Sequence, residues 1–174
     1  MDSVHFEENQ RFREIAFYIL IAILQVIFLW GLTQQIIFHK PWGTRPASDN
    51  MLIIINLGVG MINLLVLSMD LRTIITDKHI RFRFSPFHIR EKMIEWSEIK
   101  EARVIKYDGM KEYWGYGVRY RSGKGWCYTI SGQFGLRLVL KNEKRILIGT
   151  HQAREISQII DDLKKRGIID NKKY

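Results

Sequence analysis

The chain opens with two long stretches from which charge is excluded. Ile15–Phe38 and Met51–Met69 hold no Lys, Arg, Asp or Glu, and the polar segment His39–Asn50 separates them. At about 1.5 Å per residue, helices over these stretches are roughly 36 and 28 Å long, against about 30 Å for the hydrocarbon core of a bilayer. A surface helix of a water-soluble core keeps a polar face, whereas these stretches are apolar all round, the pattern of helices immersed in lipid. The expectation is a transmembrane hairpin over residues 15–69, with helices 15–38 and 51–69 and an outer loop 39–50. Residues 1–14, with Asp2, Glu7, Glu8 and Glu14, are not the basic n-region of a secretory signal, and no A-x-A-like site follows the first run. The run therefore reads as an anchor rather than a removed leader.

From Leu71 the apolar period changes to two. Leu71–Thr76, Ile80–Phe84, Lys92–Trp96, Glu101–Tyr107, Gly117–Arg121, Trp126–Ile130, Leu136–Lys141 and Arg145–Gly149 read as strands. Asp77-Lys78, Asp108-Gly109, Ser122-Gly123-Lys124-Gly125 and Asn142-Glu143-Lys144 between them are turn compositions. Seven or eight short strands at about ten-residue spacing indicate an antiparallel barrel or sandwich. A last segment returns to the helical period, with Ile156, Ile159, Ile160 and Leu163 on one face and Asp161, Asp162, Lys164 and Lys165 on the other. Thr150 is its expected N-cap, and Lys164-Lys165-Arg166-Gly167 its finish. The fold class is α+β with a membrane segment. Residues 1–14 form a cytoplasmic N-terminal segment, 70–167 the strand-rich domain and 168–174 a basic tail.

Charge sharpens this division. The net charge of +9 is carried wholly by residues 70–174, which sum to +10, while residues 1–69 sum to −1. Lys/Arg near membrane ends stay cytoplasmic. Arg11, Arg13, Arg72, Lys78, Arg81, Arg83 and Arg90 flank the hairpin, against Lys40 and Arg45 in its loop. Both termini are thus expected inside, with Trp42 at the outer interface. The single cysteine, Cys127, makes no intrachain disulfide, in keeping with a cytosolic domain. Within the hairpin, Asn56, Gly60 and Asn63 share one face of the second helix, and Gln25 lies at a depth from which it reaches either amide. These four are the expected transmembrane packing residues, joining helices of one chain or of two.

Several segments carry a family resemblance: Trp96-Ser97-Glu98-Ile99, Gly115-Tyr116-Gly117-Val118-Arg119, Gly132-Gln133-Phe134-Gly135-Leu136-Arg137-Leu138, and Ile146-Leu147-Ile148-Gly149-Thr150 leading into the helix. Over roughly Asp70–Gly167 the chain resembles a pleckstrin-homology-like (PH-like) domain of the bacterial membrane-anchored kind. The resemblance implies a bent seven-stranded barrel capped by a C-terminal helix, and a bacterial cytoplasmic membrane location. Phosphoinositide-binding members place a Lys and an Arg-x-Arg across the first two strands. Lys78, Arg81 and Arg83 stand there, but the spacing from lysine to arginine is shorter than in those members, and no inositide site is carried over.

Arg81 and Arg83 alternate with Ile80, Phe82 and Phe84, and Arg119 and Arg121 flank Tyr120 in the same way, so each pair shares an outward face. Lys78, Arg81, Arg83, Arg119 and Arg121 are the expected contacts to anionic headgroups, a solvated strand face being the plainer alternative. The dense aromatics from Tyr107 to Tyr128 read as core or cross-strand pairs, or, at Tyr113-Trp114, as a loop tip that touches membrane or a partner. The five histidines are scattered without metal-ligand spacing. No nucleophile elbow, phosphate loop or Cys-x-x-Cys occurs. No catalytic, metal or cofactor site is expected, and no nucleic-acid partner. The leading expectation is a non-enzymatic binding or assembly module at the inner leaflet, meeting lipid headgroups, a protein partner or a second copy of itself. Its rivals are a small subunit of a transporter or envelope complex, and an enzyme without a motif.

Overall fold

Three segments alternate between two compact units. The computed structural model describes residues 3–11 and 15–169; Asp2, Arg13, Glu14 and residues 170–174 of the basic tail lie outside them. One unit is the helical hairpin. The other is a β-rich unit assembled from the segments on both sides of it.

The hairpin consists of α1 (Ile15–Ile36) and α2 (Asp49–Leu67), both long and apolar enough to cross a membrane. Helix α1 closes with the Ile37 and Phe38 N–H groups on the Thr33 carbonyl and His39 in the left-handed region. Helix α2 starts two residues before its apolar run, because the Ser48 hydroxyl accepts the Met51 N–H and Asp49 suits the positive end of the helix dipole. Gln35 ties the connection together: its Nε2 donates to the Ala47 carbonyl (2.7 Å) and to Asp49 Oδ1 (2.8 Å). Trp42 folds back onto Phe28, with ring centroids 6.1 Å apart, and onto Gly31, where a Cβ would lie 2.5 Å from the indole. Only a glycine leaves room for that ring.

The β-rich unit has two sheets. The first, in spatial order β1-β2-β3-β4, is wholly antiparallel: β1 (Val4–Arg11), β2 (Asp70–Thr76), β3 (His79–Ser85) and β4 (Lys92–Glu95). A 3-10 turn at Trp96–Glu98 carries the chain to the second, which comprises β5 (Ile99–Lys106), β6 (Gly117–Arg121), β7 (Gly125–Thr129), β8 (Phe134–Leu140) and β9 (Arg145–Thr150) in the order β5-β8-β9-β7-β6. Not every pair is antiparallel. Strand β8 starts one place away from β7, and β9 returns into the gap after a further reversal, so β9 runs parallel to β7. Inward residues of both sheets, among them Phe6, Leu71, Ile75, Ile80, Phe82, Phe84, Tyr128, Leu136 and Ile148, share one core with Ile156, Ile160 and Leu163 of α4 (Ala153–Lys165). The short α3 (Gly109–Tyr113) covers a smaller cluster of Tyr107, Tyr113, Cys127 and Leu147 on the other side of the second sheet.

Three features differ from the sequence expectation. The closed barrel that the resemblance implies is absent, and the sheets form the sandwich alternative, since no ladder among the described residues pairs a strand of one sheet with a strand of the other. The N-terminal segment, to which the sequence pattern assigned no element, is a strand paired with β2 from Val4↔Thr76 to Arg11↔Asp70. Its inner face carries Glu8 and Gln10 beside Phe6, which hides the apolar alternation. Both are buried and bonded: Gln10 Nε2 donates to the Gly149 carbonyl (2.6 Å), while Glu8 accepts from the Thr150 hydroxyl (2.7 Å) and the His151 N–H (2.9 Å). Thr150 is therefore not the N-cap of α4. That position is Gln152, whose N–H donates to Thr150 Oγ1 (2.9 Å). At its other end α4 stops as expected at Gly167, with φ +74°, but Ile168 and Ile169 still pack on the core.

A strand on each side of the hairpin makes the β-rich unit discontinuous in sequence. A chain in which a short Gly-rich turn joins Arg11 directly to Asp70 should fold and melt cooperatively by circular dichroism. Residues 70–174 alone, with the β2 edge uncovered, should melt well below it, and equal melting would contradict the role of β1. In the joined chain Glu8→Ala should cost about 1–3 kcal/mol, the loss expected when buried donors lose their acceptor.

Candidate functional site

Alternation along β3 puts Ile80, Phe82 and Phe84 in the core and turns Arg81 and Arg83 to the outer face of the first sheet. Register sets their neighbours there. Arg83 stands opposite Arg72, and Arg81 lies between Ile74 and Met93. Arg72 is neutralised by Glu7, with Nε and Nη2 at 2.9 and 2.6 Å from one carboxylate oxygen. Arg81 lies 3.8 Å from Glu91, and Arg83 has no ion pair among the described residues. Lys78 sits on the turn between β2 and β3. From there to the Asp70–Ser85 end is the length of β2, seven residues or about 20 Å at the usual rise per residue.

Arg119 and Arg121 occupy a different face. Arg119 is opposite Cys127 in the β6–β7 pair, on the side of the second sheet that α3 covers, whereas Val118 and its partner Tyr128 face the shared core. The two arginine pairs thus lie on opposite outer faces of the sandwich. The five cations do not form one patch, because outward in one sheet is the reverse of outward in the other. Arg121 is also engaged. Its Nη1 donates to the Lys111 and Glu112 carbonyls (2.9 and 2.6 Å), a cation at the carbonyl end of α3. Arg119 Nε donates to the Tyr116 carbonyl (3.1 Å), and its guanidinium remains exposed.

The four packing residues of the hairpin do meet in one seam. Asn63 Nδ2 donates to Gln25 Oε1 (3.1 Å), and a Cβ on Gly60 would lie 3.8 Å from that same oxygen. One turn further along, Asn56 Nδ2 donates to the Phe28 carbonyl of α1 (3.1 Å) and to the Leu52 carbonyl (3.0 Å). These amides join the two helices of one chain.

Groups with chemical potential elsewhere are held in structural roles. Asp77 meets Ser3, His5 (2.5 Å) and Arg166 (3.6 Å). The Ser3 and His5 bonds, in that order, hold its carboxyl below the usual carboxylate range. Ser3 and Asp77 approach the same nitrogen, His5 Nε2. A nucleophile relay needs one partner on each ring nitrogen, so this trio is a latch on β1 and not a relay. Ser131 and His151 touch (2.9 Å) at the rim of a groove of about 720 Å³ lined also by Phe134, Arg154 and Glu155. The contact is again through Nε2, and among the described residues no carboxylate bonds the other nitrogen. No group of three or more His, Cys, Asp or Glu able to hold a metal ion occurs among the described residues.

The loop between β3 and β4 was not legible as a site. Phe87 and Ile89 are 59% and 93% exposed, on either side of the inward-turned His88. Trp114, on the loop that ends α3, is 80% exposed. No family model matches the sequence, and no curated protein is similar to it.

Cys127 is fully buried, and burial pushes its thiol up to about 12 from the ordinary value near 8.5. The buried neutral thiol therefore contributes its full stabilisation below about pH 8.5 and loses it as pH rises towards the folded-state value. Iodoacetamide at pH 8 should leave the native chain unlabelled and react only after unfolding. Rapid labelling of the folded protein, followed by mass spectrometry, would show the thiol to be accessible.

Proposed function

We propose that this chain is an integral protein of a bacterial cytoplasmic membrane, spanning it twice and holding a PH-like sandwich at the inner leaflet as a non-enzymatic binding and assembly module. The observation that carries this reading is the insertion of the hairpin between paired strands. Arg11, before α1, stands opposite Asp70, after α2. Neighbouring strands lie about 5 Å apart, so the excursion starts and ends at one place. A chain that leaves and returns on one side of a bilayer crosses it an even number of times, and two helices supply two crossings.

The chemistry of the helices supports the same reading. Their apolar side chains, such as Leu20, Ile23, Val26, Ile54, Leu57 and Leu64, are mostly exposed, which in water is unfavourable by about 25 cal/mol per Å². Lipid removes that penalty, and the Asn56 and Asn63 amide nitrogens that lipid would penalise are bonded in the seam. The excess of Lys/Arg on the flanks over the loop then directs the β-rich unit to the cytoplasm. Near an anionic leaflet each cation gains about 1 kcal/mol, fading within a Debye length. With the arginines divided between two faces, this attraction is diffuse. It suits general attraction to anionic headgroups, or a protein partner, better than recognition of one lipid.

The intact chain should stay with membranes in alkaline carbonate, and a reporter fused after Tyr174 should read out on the cytoplasmic side. Extraction into the wash, or a periplasmic reporter, would remove the proposal. In the chain that joins Arg11 to Asp70, Arg81→Ala/Arg83→Ala should weaken flotation with anionic vesicles several-fold and leave neutral vesicles unaffected; no change would take this pair out of headgroup contact.

A further inference from the structure

The register of the first sheet singles out one of its ends. Arg11, Asp70 and Ser85 are successive partners across β1, β2 and β3. The chain passes to α1 just after Arg11, and comes back from Ser68, at the end of α2, two residues before Asp70. Ser85 therefore stands at the end of the sheet from which the chain leaves for the hairpin and to which it returns. The β3–β4 loop continues outward from Ser85.

This loop is built to present apolar tips. His88 points inward, its ring 5.2 Å from Tyr128 and 6.3 Å from Phe82, and its N–H donates to the Phe84 carbonyl (2.8 Å). Burial, and then Lys92, lower the His88 pKa, which favours the neutral ring in that apolar contact. With the centre pinned, Phe87 and Ile89 on either side turn outward, and Arg90 beside them is exposed. Among the described residues, Ile89 is almost wholly exposed.

A second loop reaches the same end by an independent contact. The Met69 side chain, one residue before Asp70, lies against Gly117, where a Cβ would be 3.7 Å from Met69 Cε. Three residues before Gly117 stands Trp114, in the left-handed conformation that ends α3 and with its indole in the open. The exposed Arg119 guanidinium folds back over Gly115 and Tyr116 next to it. Apolar tips, an indole and flanking arginines are the composition that settles at a bilayer interface, apolar groups below and cations at headgroup level.

We infer that this end of the β-rich unit is a bilayer-contact rim, with Phe87, Ile89 and Trp114 seated at the headgroup–acyl boundary and Arg90 and Arg119 among the headgroups. The inference rests on the membrane reading above and deepens it: the partner is the lipid surface itself, and two loops make the apolar contact that the diffuse attraction of the strand-face arginines does not supply. Lys78, a strand length away, stays in water.

The test uses the full chain in anionic proteoliposomes with an environment-sensitive fluorophore on single introduced cysteines, the buried Cys127 being left in place. Ile89→Cys and Trp114→Cys should show blue-shifted emission and lose intensity when the lipids carry a nitroxide quencher high on the acyl chain. Lys78→Cys should do neither. Ile62→Cys, within α2, reports insertion of the hairpin. Quenching at Ile62 with water-like emission at both loop sites overturns the rim and leaves the hairpin standing, and emission at the loops that changes only when a protein partner is added does the same. No quenching at Ile62 overturns the membrane reading and the rim together.

Discussion

The pairing of β1 with β2 is the constraint on which the rest depends. It joins strands that are neighbours in space but separated in sequence by both apolar helices. The loop it closes is long, and closure entropy grows only slowly with length, so a helical hairpin is accommodated there at modest cost. What holds β1 in place is its ladder together with two buried polar side chains. A carboxylate taken out of water is costly unless its oxygens are bonded. Glu8 meets that condition through Thr150 and His151, and the Gln10 amide nitrogen donates to the Gly149 carbonyl, leaving its buried Oε1 without a partner among the described residues. The same bonds join the first strand of the chain to the entry of its last helix, so the edge of one sheet, the middle of the other and α4 are fastened at one point.

Because the sandwich has two outer faces, its positive charge is divided. Alternation along β3 and β6 turns arginines away from the core in both, yet in opposite directions. Arg72 is neutralised by Glu7, Arg81 lies 3.8 Å from Glu91 and Arg121 bonds only backbone carbonyls of α3, while Arg83 and Arg119 have no ion pair among the described residues. Electrostatic attraction to an anionic surface acts on such a distribution as a weak general pull. Among the exposed apolar side chains, Phe87, Ile89 and Trp114 stand on loops rather than on strand faces, the observation on which the proposed lipid contact rests.

The hairpin solves a different problem. In the proposed membrane setting, lipid would give two helices with apolar surfaces all round no hydrophobic drive to associate. The seam therefore uses amides and small residues: Gln25 with Asn63 across the space left by Gly60, and Asn56 on a backbone carbonyl of α1. At the loop end, Trp42 packs over Gly31, and Gln35 fixes the connection. The amide nitrogens of Asn56 and Asn63 are bonded within the chain, the buried Asn56 Oδ1 has no partner among the described residues, and the outer surface is left almost wholly apolar.

Composition and periodicity by themselves determined a good deal. The exclusion of charge from two stretches marks the helices, the period of two marks eight strands to within a residue or two, and the stripe of Ile156, Ile160 and Leu163 marks the closing helix. The i, i+4, i+7 spacing of Asn56, Gly60 and Asn63 placed the seam. These signals are local, each arising from one element exposing one face. Only the tertiary structure decided the rest. Strand β1 was hidden because Glu8 and Gln10 occupy inward positions, and their partners lie more than a hundred residues away. The separation of the arginine pairs depends on which sheet each strand joins, and the location of Phe87 and Ile89 on register with Asp70. A property that requires knowing which strands are neighbours is not written in any single stretch of the chain.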